Sequence, residues 1–585
     1  MDNLRDQGPF HQNDHGIWET TVPSKVSFQS ALDYCKTFSN SDSVIINIEE
    51  NHVATMTKRT ELGCSTAIIG LGSTPTKIYL NDNLVNNPGG YDSILSFKAY
   101  SMHDPISVHL ENLEFMPIGQ EINKPFIPSE KYFCPAESHL IKMSYTDGVT
   151  LYKVKSMLMN GPITNVDIRT SKNVIIRDCE FINYNGLQPQ NTTGGILWFR
   201  GNLENVLITG NTLEKFGNDE VLAFWELEYS AGSGNPQPPV IGTPENKIAY
   251  ITRNNIQITN NNVIYKLPDI AKNHPELNQY ARIDVLIAFY EGNAANFAPY
   301  GGIFKDVLVA NNKLELLHPT RYVFTLDGYQ QHIDVSNFRI CDNIIHHKYT
   351  TDKSDVYIAD FYFSGSENSV FKTSGEVEIA RNIIQAEETI GSNGNGHCFV
   401  HNAVANLNIH DNTFDATSFS ATGSARTCAL RCEYYTQYTR FVSNTVVNCG
   451  NPVIIRNVQD NQEVNIEVIN NQITGTQAFL GYVNNKTNAK VNIKLENNYI
   501  NTSSTYYILF NGCSDKGSFW ASNNVFYTYP DPSGTHPTMN MGYIPTVTNL
   551  ESFTMIGNVV AGSRKLVADP SYPKAAQTVI ANNNF

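Results

Sequence analysis

A β-solenoid of stacked parallel coils is the fold class this sequence predicts, and three observations predict it. A short phrase, apolar-x-x-Asn-x-apolar, recurs from mid-chain to the last residues; an amphipathic segment precedes the repeats; and the phrases keep one hydrophobic frame without a break. The phrase appears as ITGNTL (Asn211), ITNNNV (Asn261), VANNKL (Asn312), ICDNII (Asn343), IARNII (Asn382) and IHDNTF (Asn412). It continues as FVSNTV (Asn444), VINNQI (Asn471), LENNYI (Asn498), ASNNVF (Asn524), MIGNVV (Asn558) and IANNNF (Asn583). Two earlier copies, HLENLEF and IIRDCEF, carry Leu113 and Cys179 in the Asn slot. A fixed phrase at intervals of roughly 25 to 50 residues marks stacked supersecondary units, the shortest gaps being about one coil.

Stacking explains the asparagine. Each coil turns a corner at the same place, where an amide side chain can satisfy corner backbone groups and the amides above and below, forming a ladder. Asn also tolerates the left-handed backbone conformation that corners need. The flanking apolar positions, Ile208 with Leu213 or Ile409 with Phe414, are expected to point inward and stack on their counterparts in the next coil.

Ahead of the repeats, Ser27 to Phe38 (SFQSALDYCKTF) places Phe28, Ala31, Leu32, Cys35 and Phe38 at helical spacing, a helix suited to cover the open end of a solenoid. The strand-like SVIINIEEN follows, then STAIIGLGSTPTKIYL. Here the sequence resembles the opening coils of the pectate-lyase-like right-handed parallel β-helix superfamily, in which a capping helix precedes an IxGxGxxxTxI strand pair; Ile69, Gly70, Gly72, Thr76 and Ile78 match. The resemblance implies a right-handed parallel β-helix. It is weak for activity, because the superfamily includes lyases, hydrolases, epimerases and viral adhesins. The expected organisation is an N-terminal segment at 1–110, with capping helix and first coils, and the β-helix at 111–585, its loop-decorated coils at about 179–343. Gly70 and Gly72 do not form a phosphate loop, since no helix opening on GKS or GKT follows.

Charged residues make up 17% of the chain, and 41 Lys+Arg against 56 Asp+Glu give a net charge of -15. An acidic chain without a basic run argues against nucleic acid or an anionic membrane as partner. No stretch of about 18 apolar residues exists to span a bilayer. The opening MDNLRDQGPF lacks the regions of a secretory signal, so an extracellular or periplasmic protein would have lost its signal, and a virion-surface protein would need none. The ten cysteines show no CxxC, and alternation puts Cys428, Leu430 and Cys432 on one face, so packed thiols are expected.

The ladder spacing also locates decoration. Asn211 to Asn261 and Asn261 to Asn312 are 50 and 51 residues apart, against 27 for Asn444 to Asn471. The extra chain reads as loops: GLQPQNTTGG after Tyr184, SAGSGNPQPPVIGTPEN from Ser230, LPDIAKNHPELNQY from Leu267 and NAANFAPYGG from Asn293. On these coils acids align. Glu226 lies 15 residues after Asn211 and Asp327 lies 15 after Asn312, while VLIAFYEG matches EVLAFWEL with Glu291 opposite Glu226. Counting back seven places Asp219 opposite Asp284.

Coils about 4.8 Å apart would set neighbouring carboxylates about 5 Å apart and the outer pair about 10 Å apart, bracketing glycosidase separations. Repulsion would leave one of them protonated as general acid. Glu226, Glu291 and Asp327 are thus acid/base candidates. Asp219 and Asp284 would support them or hold Ca²⁺, which a lyase uses to neutralise a uronate; a hydrolase requires no cofactor. Arg282 and His332 are the candidate lyase base or charge neutraliser, with Arg200 and Arg321 at the ends of matching strands. Trp198, Trp225 and Tyr290 occupy near-matching positions from which they would pack on sugar rings or, equally, be buried. Simple solvated acids at strand ends are the alternative for the whole column. GNDEVLAF and GHC (Gly396 to Cys398) resemble the paired-Asp and Gly-His-Gly segments of polygalacturonase-like hydrolases. The second acid is Glu220, however, and His397 lies 177 residues beyond it with no Arg-x-Lys following, so no residue is carried over.

The expected function is binding and cleavage of an acidic or neutral polysaccharide by a hydrolase or lyase, as a monomer if a free enzyme. The alternatives are a phage tail spike or adhesin of the same fold, expected to be a homotrimer, and a catalytically silent glycan-binding solenoid.

Overall fold

The computed structural model describes residues 8–81, 93–117, 138–158, 163–184, 194–217, 219–225, 249–273, 283–290, 300–327, 332–349, 358–364, 370–373, 376–388, 397–418, 427–434, 436–458, 460–475, 480–483, 489–502, 506–511, 516–528, 538–543, 550–562, 565–567 and 577–584. The chain falls into two compact units, Met1–Tyr290 with Asn311–His318, and Glu291–Ala310 with Pro319–Phe585. Each is a stack of parallel β-coils. No helix among the described residues is long and apolar enough to cross a membrane.

The first unit opens with an antiparallel pair, His11–Gln12 on Trp18–Val22, and becomes parallel where Trp18–Val22 pairs with Ser43–Ile48. Three strand columns then rise in register. One passes through Ser43–Ile48, Ser65–Gly70 and Ile106–Glu111. A second joins Ala54–Met56, Thr76–Leu80, Leu113–Pro117, Lys155–Leu158, Glu180–Asn183, Thr212–Lys215 and Asn262–Tyr265. The third carries Thr60–Leu62, Ser93–Lys98, the leading halves of Ser138–Tyr152, Ile163–Arg177 and Leu197–Thr209, then Leu222–Trp225 and Ile283–Tyr290. Strict alternation of buried and part-exposed residues, as in Glu180–Asn183, sends every second side chain inward. Like then stacks on like: Phe199, Phe224 and Phe289 lie with successive ring centroids 4.9 Å apart.

The predicted helix forms over Phe28–Cys35, with Ser27 as its N-cap accepting from Ser30 N and with Phe28, Ala31, Leu32 and Cys35 buried. It stops three residues short of the predicted end. Thr37 N donates to Tyr34 O and Phe38 N to Cys35 O, a tight turn that drops the Phe38 ring against Phe10 and Trp18. In the matched strand pair, Gly70 is needed for close approach, because a Cβ there would stand 2.3 Å from Asn112 O.

The second unit repeats the three-column pattern. Val377–Ala380, Asn406–His410, Tyr438–Val442, Glu463–Ile469, Lys490–Glu496, Lys516–Ser522 and Leu550–Ile556 pair in parallel, in register except for a shift between Gly517 and Ser518.

The asparagine ladder is present in both units. In the first, Asn211 Nδ2 donates to Asn261 Oδ1 at 2.9 Å and Asn261 Nδ2 to Asn312 Oδ1 at 3.0 Å. In the second it runs from Asn343 through Asn382, Asn412, Asn444, Asn471, Asn498, Asn524 and Asn558 to Asn583, each step 2.9–3.2 Å. After the first rung of each unit, each rung oxygen also takes the main-chain N–H of the rung before it, as Asn471 Oδ1 does from Asn444 N. One expectation needs correcting. The left-handed residue is the one before the ladder asparagine: Gly210, Asn260 and Asn311 in the first unit, and Asp342, Arg381, Asp411, Ser443, Asn470, Asn497, Asn523, Gly557 and Asn582 in the second, all have φ between 54° and 69°. The ladder begins beside Cys179, whose N–H donates to Asn211 Oδ1. Register adds to the slot one coil that the sequence reading passed over, since Lys155 pairs with both Glu114 and Glu180 and so sets Val154 between Leu113 and Cys179.

Candidate functional site

In the third column of the first unit, Val166 and Ile168 are core residues, so alternation turns Asp167 and Arg169 to the opposite face. Register stacks Ser96, Lys142, Asp167 and Trp198 in one file and Lys98, Ser144, Arg169 and Arg200 in the next. Asp167 is wholly buried. Its Oδ2 accepts from Arg169 Nε at 2.8 Å and lies 2.7 Å from Arg169 Nη2 and 3.3 Å from His139 Nε2, while Oδ1 is 3.4 Å from Arg200 Nε. Arg200 lies over the Trp198 ring, 4.9 Å from its centroid, and the His139 ring meets that indole edge-on at 6.0 Å.

Burial resists ionisation of Asp167, but the guanidinium groups of Arg169 and Arg200 outweigh it and hold the carboxyl below its usual range. Burial drives His139 down to about 3, so its imidazole is neutral. Burial, reinforced by Arg169, lowers Lys142 to about 8. Lys98 is exposed beside them. The face therefore carries Lys98, Lys142, Arg169 and Arg200 around one carboxylate, an excess of positive charge on a chain whose net charge is -15.

Inside the same unit, alternation along Thr212–Lys215 sends Lys215 inward with Leu213. Lys215 is fully buried and donates to Gly194 O at 2.7 Å. Burial lowers its ammonium to about 7 against the opposing pull of Asp219 and Glu220. Asp219, at φ 67°, accepts from Gly194 N. Asn183 Nδ2 donates to Gly195 O and to Asn165 Oδ1 at 3.0 Å, fastening the same turn from below. Gly195 has no room for a Cβ, which would fall 2.1 Å from Trp198 Nε1.

Of the residues predicted from sequence, the structure brings Trp198, Arg200 and Asp219 into this region. Trp198 is only 5% exposed, so it supports Arg200 and is not an open platform for a sugar ring. Asp219 faces a lysine ammonium and a backbone N–H, which already supply what a bound cation would. Leu222–Trp225 pairs with Ile283–Tyr290 so that Leu222 meets Ile287 and Phe224 meets Phe289, the offset on which Glu226 was set opposite Glu291. Glu226, Glu291 and Arg282 themselves lie outside the described residues, as do the side chains of Asp284, Asp327, His332, Arg321, Trp225 and Tyr290. The insert after Tyr184, up to residue 193, and the insert from Ser230 also fall there. Tyr300–Gly302, read as loop, begins the strand Tyr300–Ala310, and Asp269–Ala271 forms a short 3-10 turn.

The second unit holds a further buried charge network that sequence reasoning missed. Glu433 Oε1 accepts from Arg431 Nε at 2.9 Å and lies 3.1 Å from Arg456 Nε, while Oε2 stands 3.0 Å from His401 Nε2. The His401 ring stacks on Tyr362 at 4.9 Å, and Tyr362 on Tyr322 at 4.3 Å. Burial opposes the charge on Glu433, but His401 and Arg431 hold its carboxyl below its ordinary range. One group among the described residues gathers enough donors for a metal ion: His347, Asp360 and His397. Cys398, Cys428, Cys432 and Cys449 are buried free thiols in this unit.

No protein-family model matches the sequence, and no curated protein matches it. Among solved structures, tailspike protein 3 of Bacteriophage CBA120 aligns at 10% identity and a TM-score of 0.27, covering 92% of this chain and 56% of that one. The chain thus spans little more than half of that protein, and a TM-score so low carries no argument about fold or function.

Proposed function

We propose that this chain is a polysaccharide-binding parallel β-helix, of the tailspike or adhesin kind, whose Lys142–Arg169–Arg200 face receives an acidic glycan. The observation that carries the reading is the local reversal of charge. Guanidinium groups bind sugar carboxylates in a bidentate manner, and a cationic face on an acidic protein selects anionic residues against neutral ones. The same chemistry disfavours hydrolysis at this face. Asp167 is held ionised by two arginines and cannot serve as a protonated general acid, which a glycosidase needs. Cleavage, where it occurs, falls to the Glu226, Glu291 and Asp327 column with Arg282 and His332, and Ca²⁺ at Asp284 belongs to the lyase version of that reading. On the tailspike reading the coil is right-handed, in keeping with the general handedness of parallel crossovers, and the protein is a homotrimer on a virion surface.

Binding to a uronate-containing polysaccharide and to neutral dextran, measured across a salt series, tests the proposal. Arg200→Ala is expected to weaken uronate binding by about tenfold or more, as loss of a charged hydrogen bond does, and to flatten the salt dependence. Equal affinity of wild type and Arg200→Ala for the uronate polymer refutes it. Reducing ends or unsaturated products that vanish in Glu226→Gln would assign cleavage to the acid column, and light scattering separates trimer from monomer.

A further inference from the structure

We infer that His347, Asp360 and His397 form a structural divalent-cation site inside the second unit, with a donor set suited to Zn²⁺. The three residues come from Ile344–Tyr349, Ile358–Ser364 and His397–Asn402. Ile345 and His347 alternate inward on the first strand, and all three side chains are buried, at 0%, 0% and 1% exposure. Asp360 Oδ1 stands 2.6 Å from His347 Nδ1 and Oδ2 stands 3.0 Å from His397 Nε2. One donor atom from each residue lies within 4.8 Å of the others.

A carboxylate removed from water needs a countercharge. Among the described residues, Asp360 pairs with the two imidazoles and with no Lys or Arg. Either one imidazole carries a proton or a cation sits between the three groups. Two imidazole nitrogens and a carboxylate oxygen are a donor set that Zn²⁺ takes at about 2.0–2.2 Å; the present N–O separations of 2.6 and 3.0 Å are hydrogen-bond distances, which an entering ion would spread to the roughly 3.3–3.6 Å between ligands of one tetrahedral centre. Ile358–Ser364 pairs in parallel with His397–Asn402, so a bound ion would tie one coil to the next. Three protein donors leave a fourth position for water or another ligand, and the burial of all three side chains keeps that position from bulk solvent, which favours a role in holding the coils. The inference does not depend on the glycan reading.

The protein, purified without chelator, should hold about one equivalent of zinc per chain. Stripping it should lower the melting temperature, and added Zn²⁺ should restore it. Asp360→Asn and His397→Gln should lose the equivalent, whereas His410→Gln, on the part-exposed His410–Glu378 pair, should keep it. Co²⁺ added to the stripped wild type should give the visible bands of a tetrahedral site, a signal that stands even if the variants fail to fold. No Co²⁺ bands in wild type, or equal zinc in wild type and folded variants, overturns the inference in favour of a protonated histidine.

Discussion

Truncating one interior rung, Asn471→Ala, measures what the amide ladder contributes. Asn471 is buried; its Oδ1 accepts from Asn444 N at 2.8 Å and from Asn444 Nδ2 at 3.2 Å. Its Nδ2 donates to Phe441 O, Ile469 O and Asn498 Oδ1. After truncation, several partners keep a second bond: Asn444 Nδ2 still donates to Ile409 O, Ile469 O still accepts from Ser443 N, and Asn498 Oδ1 still accepts from Asn471 N. The Asn444 N–H loses its acceptor. A buried N–H left unpaired costs about 1–3 kcal/mol, and the net loss of the remaining bonds adds about 1 kcal/mol. The expected penalty is therefore about 3 kcal/mol, roughly a hundredfold rise in local opening. Hydrogen exchange read on the peptide around Asn444 reports this directly, without assuming that so long a chain unfolds in one step. Asn583→Ala, on the half-exposed last rung, should cost about 1 kcal/mol or less, because water replaces the lost partner. A change under about threefold at Asn444 would contradict that estimate, and the stacked apolar residues would then hold the coils alone.

Two other perturbations probe the scaffold. Ser443 is exposed and held at φ 55°, where a non-glycine residue is strained by about 1–3 kcal/mol; Ser443→Gly should raise protection around that corner by about 0.5–1 kcal/mol after glycine's entropy cost, and unchanged exchange would show the corner to be unstrained. For Lys215, burial brings the folded ammonium from 10.5 down to about 7. Between those values the unfolded chain holds a proton that the folded chain lacks, so this group's contribution to stability rises with pH across the window, and below it the folded protein bears the full cost of the buried charge. Lys215→Met should therefore gain most over wild type in melting temperature near pH 6 and least near pH 10, and a difference independent of pH would refute the assignment.

The ladder was legible because Asn residues repeat in one apolar frame and report the coil register directly. The corner chemistry was legible one residue out of place, since Gly, Asn and Asp crowd the position before the rung and the exceptions Arg381 and Ser443 hide the pattern. The site was legible only where that register reached. Trp198 and Arg200 lie on a strand leading to an Asn phrase. His139 and Lys142 belong to a coil whose slot is Val154, so no amide marks it. Asp167 sits at an outward position of an alternating strand, where sequence predicts a solvated acid; its burial comes from arginines and a tryptophan that only the fold brings together. Lys215 and His347 did carry a signal, an ionisable residue at inward parity two positions after a core aliphatic, Leu213 and Ile345.

Those inward and covered charges explain how the chain separates scaffold from chemistry. Networks such as Asp167–Arg169–Arg200 and Glu433–Arg431–His401 carry a desolvation cost that geometry can only partly offset, so they are poor sources of stability. In the second unit the amide ladder stabilises the corner after the column that contains Asn406–His410 and Tyr438–Val442, while His401 lies on His397–Asn402 and Arg431 and Glu433 on Cys428–Tyr434, which pair with each other in a separate column. The first unit has the same division, with its rungs at Asn211 and Asn261 and its cationic face on the leading halves of the long strands. A coil whose register is fixed at one corner can carry an unfavourable charge group on another face without slipping, and each such group can then be matched to a ligand instead of to the core. The cationic face and the His–Asp–His group each lie in a unit that carries such a ladder, and as proposed they meet different chemistry, an anionic sugar for the first and a cation for the second.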